Sequence, residues 1–98
     1  MLHTVNKSPF QSSNLKNCSR YVKSGDALLL LEDGVYAAMQ GTEQSGLIES
    51  LLSNGVSVYA ISADLTMRAV SQPIEGVTAV DYAGFVDLVE EHPLHSWL

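Results

Sequence analysis

The chain reads as a single α/β domain of three layers, helix on sheet on helix, around a mostly parallel sheet of four to five strands. Three observations point there. Short apolar runs of strand length alternate four times with segments of helical spacing, the pattern of β-α-β units joined by right-handed crossovers. The run Ala27–Leu31 is apolar without alternation and bounded by turn residues, as expected of a strand covered on both faces in a parallel sheet. With 98 residues, 46% hydrophobic and 16% charged, the chain can enclose one core, so residues 1–98 form one domain.

The elements follow in order. Leu2–Val5 is a short first strand. Ser8-Pro9-Phe10-Gln11 then fits a helix start, with a serine cap, proline in the first turn and glutamine at the capping-box position. Ser12 or Ser13 is an alternative cap. The helix is predicted to reach Lys23, where Ser24-Gly25 ends it. Ala27–Leu31 is the second strand, closed by Glu32-Asp33-Gly34. A helical region follows, broken near Gly41, with Leu47, Ile48, Leu51 and Leu52 as its inward stripe. Asn54-Gly55 is a turn and Val56–Ile61 the third strand. Ser62 caps a short helix through Val70 that turns Leu65 and Ala69 inward. Gln72-Pro73 breaks the pattern before a fourth strand at Val77–Val80. Asp81 caps the last helix, where Tyr82, Phe85, Val86 and Val89 share one face, and Pro93 stops it.

Charge is segregated. The net charge is −6, yet residues 1–23 carry Lys7, Lys16, Arg20 and Lys23 and no acid, while all eleven acids follow with Arg68 as their sole basic companion. An acidic chain of this kind is not expected to bind nucleic acid directly, which needs clustered Lys and Arg. The basic first helix is either a solvated face or a surface for an acidic protein partner. No segment nears the roughly 20 apolar residues of a membrane span, and the first 20 residues lack an apolar signal-peptide core. A cytoplasmic protein without membrane contact is expected.

Candidate chemistry is sparse. Cys18 is the single cysteine, which excludes an internal disulfide and a multi-cysteine zinc site. At about 100° per residue, Lys16, Arg20 and Lys23 cluster on one side of the first helix, with Leu15, Cys18, Tyr21 and Val22 on the other. The thiol is thus either packed in the core or, if that face is a subunit edge, a persulfide carrier. His92 and His95 flank a proline that disrupts the helix needed to align them. His3 lies in the first strand, on the face opposite Leu2, so no metal site is expected. Glu32 and Asp33 are adjacent and point apart in most backbones, poor geometry for an acid–base pair. A helix-start cap or a polar subunit contact, shared with Tyr36, is expected instead. Phosphate-binding glycine loops and nucleophile elbows are missing, so no cofactor is expected. The ending Ser96-Trp97-Leu98 must be covered either by the domain or by another chain.

Three stretches together resemble the DsrH/TusB family. They are Met1-Leu2-His3-Thr4-Val5-Asn6-Lys7-Ser8-Pro9-Phe10, the leucine-rich strand with Glu32-Asp33-Gly34-Val35-Tyr36-Ala37-Ala38, and Val80-Asp81-Tyr82-Ala83-Gly84-Phe85-Val86-Asp87-Leu88. The likeness spans nearly the whole chain. It implies a small α/β subunit of a sulfur-relay complex, the DsrEFH/TusBCD heterohexamer. Homologous DsrE/TusD-like and DsrF/TusC-like subunits are the implied partners, with a downstream sulfur acceptor protein. The TusBCD form supports 2-thiolation of the wobble uridine of certain tRNAs, and the DsrEFH form serves sulfur oxidation. In both, the principal persulfide-carrying cysteine belongs to the DsrE/TusD-like sister, at a position where this chain has none. Cys18 matches a first-helix cysteine of DsrH-type members. The resemblance therefore implies an accessory subunit, with Cys18 as the one possible persulfide acceptor.

Overall fold

The computed structural model describes residues 1–97. Five strands run parallel in the order β4-β3-β2-β1-β5: β1 Leu2–Val5, β2 Ala27–Leu30, β3 Ser57–Ile61, β4 Thr78–Val80 and β5 Leu94–Trp97. The leucine run is the middle strand, as its uninterrupted apolar character predicts. Leu28 and Leu30 join one core and Ala27 and Leu29 the other. The fifth strand, read from the sequence only as a tail, pairs with β1 from Leu2↔Leu94 to Val5↔Trp97.

Handedness decides where the helices go. From β1 to β4 each crossover steps the same way across the sheet. All of them lie on one face: α1 Asn14–Ser19, a 3-10 helix Glu32–Ala38, α2 Ser45–Ser53 and α3 Ser62–Met67. The chain then returns across the whole sheet from β4 to β5. A right-handed connection in that reversed direction must cross on the opposite face. There α4 Tyr82–Glu91 packs Leu88 and Phe85 onto Leu2, Ala27, Leu29 and Ile61. The three layers are therefore unequal, with four helical segments on one side and one on the other.

Several helix boundaries differ from the sequence reading. Ser8 does not start α1. Its hydroxyl accepts the Phe10 N–H at 3.2 Å and its carbonyl the Gln11 and Ser12 N–H groups, closing a separate turn. The helix begins only at Asn14, and it ends at Ser19. Tyr21 thus lies beyond it and is 65% exposed rather than inward. After β2 the chain forms a 3-10 helix, which Glu32 enters with φ +51° and in which Gly34 packs against the Val5 backbone. The regular helix resumes only at Ser45, turning Ile48 and Leu51 into the core and leaving Leu47 and Leu52 partly buried.

At α3 the helix stops at Met67, and Ala69 takes a left-handed φ of +57° and faces solvent. The Asp81 cap forms as predicted, its carboxylate accepting the Gly84 N–H at 2.8 Å. Of the α4 stripe, however, only Phe85 points inward, together with Leu88. Tyr82, Val86 and Val89 are exposed, because among the described residues no second helix flanks α4 on that face.

Candidate functional site

Cys18 sits on the inner face of α1, fully buried beside Leu15 in the larger core. Burial pushes its thiol up to about 12, and the nearby Asp26 carboxylate adds to the shift. A thiol so placed stays protonated at neutral pH and presents no nucleophile to solvent. Lys16 and Arg20 stand exposed on the other side of the helix, as helical spacing predicts.

Glu32, Asp33 and Tyr36 follow the carboxyl end of β2, where Glu32 and Asp33 tie the 3-10 helix to α3. The Glu32 N–H donates to Asp64 Oδ2 at 2.8 Å. Asp33 Oδ1 accepts from the Arg68 guanidinium at 2.8 Å, and Arg68 also lies 3.6 Å from Asp64. The hydrogen bond to Asp33 is the main cause of the upward shift at Arg68, although burial opposes it. Glu32 engages α3 through its backbone N–H and Asp33 engages Arg68 through its carboxylate, so the pair shares no common partner. Neither caps the 3-10 helix through its side chain. Tyr36 packs half-buried on the core.

Trp97 is held within the domain, half-buried against the same core as Cys18, at the opposite edge of the sheet from α3. Leu98, its neighbour in the predicted terminal contact, lies outside the described residues. Around Trp97 the fold assembles residues that sequence reasoning set aside or overlooked. His3, Tyr21, Lys23, Asp26, His95 and Met1 line with it a cleft of about 660 Å³, within the usual range of small-molecule sites. The Trp97 indole ring lies 4.8 Å from that of His95 and 5.5 Å from that of Tyr21, centroid to centroid.

Under this aromatic wall runs a chain of hydrogen bonds. Trp97 Nε1–H donates to His3 Nδ1 at 3.1 Å, and His3 Nε2 lies 3.3 Å from Asp26 Oδ2. Asp26 also accepts from the Lys23 N–H at 3.0 Å and from the Met1 ammonium at 2.9 Å. Partial burial pushes the Asp26 carboxyl up. Its hydrogen bonds from Lys23, the ammonium and His3, with the ammonium charge, outweigh that and hold it near 2. Strand alternation puts His3 on one face, as the sequence shows, but only the β1–β5 register sets His3 beside His95 and near Trp97. Among the described residues, no three His, Cys, Asp or Glu side chains converge as a metal site.

The family model described as DsrH like protein matches residues 7–94. The chain belongs to the DsrH family. Within it, this DsrH-like chain is 40% identical to Protein TusB of Pectobacterium parmentieri over 94 residues, covering 95% of each. It is 38% identical to Protein TusB of Escherichia coli K12 over the same share of both chains. Solved structures of the same fold include the ychN protein of E. coli, with TM-score 0.83, 18% identity and 97% of each chain covered. Another is the MTH1491 protein of Methanobacterium thermoautotrophicum, with TM-score 0.68, 20% identity and 97% and 96% covered. Among the described residues of this DsrH-like chain, no helix is long and apolar enough to cross a membrane.

Proposed function

We propose that this chain is an accessory, non-catalytic subunit of a cytoplasmic sulfur-relay complex that supports 2-thiolation of the tRNA wobble uridine. It assembles with DsrE/TusD-like and DsrF/TusC-like sisters into a heterohexamer, and the sisters carry the persulfide toward a downstream acceptor. The observation that carries this reading is the state of Cys18. The only thiol in the chain is buried in the core and kept protonated, which supports a role for this member other than carrying the persulfide. The similarity to proteins named TusB favours the tRNA branch over sulfur oxidation. Glu32, Asp33, Tyr36 and Trp97 remain the proposed contacts to the sisters.

Co-expression with the two sister proteins, followed by mass measurement of the assembly, tests the reading. A stable complex whose Cys18→Ala form still thiolates tRNA is expected, and a chain that stays alone would overturn it. The DsrH-type alternative makes Cys18 a persulfide acceptor in sulfur oxidation. Incubating the assembled complex with a cysteine desulfurase and reading the intact mass separates the two, since only a carrier gains one sulfur on this chain.

A further inference from the structure

We propose that Trp97, His3 and Asp26 form a protonation-sensitive latch that fixes the β5 edge while His3 is neutral and frees the Trp97 ring when His3 takes up a proton. The chemistry of the donors fixes the starting state. An indole N–H can only donate, so His3 Nδ1 must present its lone pair to Trp97 Nε1 at 3.1 Å. A neutral imidazole then carries its single proton on Nε2, which faces the Asp26 carboxylate at 3.3 Å. His3 is thereby locked in one tautomer, with both nitrogens used and the ring buried.

A second proton can go only to Nδ1. It occupies the lone pair that held the indole, so two N–H groups face each other and the hydrogen bond is lost. The proton comes from water and nothing else is consumed. The Trp97 ring has somewhere to go, because the cleft of about 660 Å³ opens beside it toward His95 and Tyr21. The charged and titratable groups around His3 are the Asp26 carboxylate and the Lys23 ammonium from the α1–β2 connection. The Met1 ammonium faces it from the start of β1, His95 from β5 and Tyr21 from beyond α1. Asp26, held near 2, stays anionic throughout the range in which histidines titrate. It therefore remains a fixed counter-charge for the protonated ring and does not itself act as the switch.

Trp97 is the chain's single tryptophan, so its emission and its indole N–H resonance report the latch directly. In the full chain, acidification from pH 8 is expected to move both signals in one transition as the indole loses its acceptor. His3→Gln offers a carbonyl to the indole and an N–H to Asp26 without titrating, and should abolish the transition while leaving the signals at their pH 8 values. His95→Gln should retain it. A transition in the indole N–H resonance that survives His3→Gln, or that disappears in His95→Gln, would overturn the proposal. If His3→Gln fails to fold by circular dichroism, nitrogen-15 spectra of wild-type histidines decide instead. A His3 proton on Nδ1 at pH 8 would sink the latch, whereas the Nε2–H form supports it.

Discussion

Asp26 and Cys18 lie close enough to feel each other, yet their surroundings move them in opposite directions, and stability should follow each with its own sign. The Asp26 carboxyl falls from an ordinary 3.8 to about 2 on folding. Its contribution is therefore complete above about pH 4 and is lost as pH falls through 2. Because the side chain keeps some contact with water, we expect about 1–2 kcal/mol at neutral pH. Asp26→Asn should lower the urea-unfolding free energy by that amount at pH 7, with the difference shrinking below pH 4 and vanishing only below pH 2. The Cys18 thiol rises from 9.0 to about 12, so its contribution is complete below pH 9 and is lost as pH climbs toward 12. A second expectation follows from the same burial. At pH 8, Ellman's reagent should react with Cys18 only at the rate of unfolding, at least 100-fold slower than in urea. Reaction at the rate of a free thiol would show that the core opens locally around α1.

At the scale of the element, two helix ends show what a sequence can and cannot announce. The α2 helix ends in a Schellman motif. The Gly55 N–H donates to Leu52, the Val56 N–H to Leu51, and Gly55 supplies a φ of +85°. The α3 helix ends in the same motif, with Ala69 donating to Thr66 and Val70 to Leu65. There the left-handed position is filled by alanine. Asn54-Gly55 is legible as a stop, whereas Met67-Arg68-Ala69-Val70 reads as continuing helix, and tertiary packing of Leu65 and Val70 overrides it. The α1 start was hidden for a related reason, since the Ser8 hydroxyl serves its own turn. Ala69→Gly should therefore stabilise the protein by about 0.5–1 kcal/mol, measured as an upward shift in thermal midpoint. Gly34→Ala should do the reverse. Its methyl group would overlap the Val5 carbonyl, at a cost of about 1–3 kcal/mol.

Across the whole molecule, the part least visible in the sequence is the one that joins the two ends of the chain. The central position of β2 could be read from its leucines and the crossover rule set the layers. Nothing local, however, says that Leu94–Trp97, after a proline and rich in polar residues, will pair with residues 2–5. That pairing is long-range and depends on α4 having crossed the opposite face, which also explains why no local pattern marks His3, Asp26 and Trp97 as one cluster. The consequence is mechanical. All four residues of β1 are buried because β5 covers its outer edge, with Thr4 donating to the Ser96 hydroxyl at 3.1 Å and the Leu2 N–H to Pro93 at 2.8 Å. Removing residues 94–98 would turn β1 into an exposed apolar edge, a template for pairing with other chains. The shortened chain should lose its cooperative thermal transition by circular dichroism and elute as aggregate in size-exclusion chromatography. A shortened chain that stayed monomeric and melted within a few degrees of the full one would mean that β1 holds its place without β5.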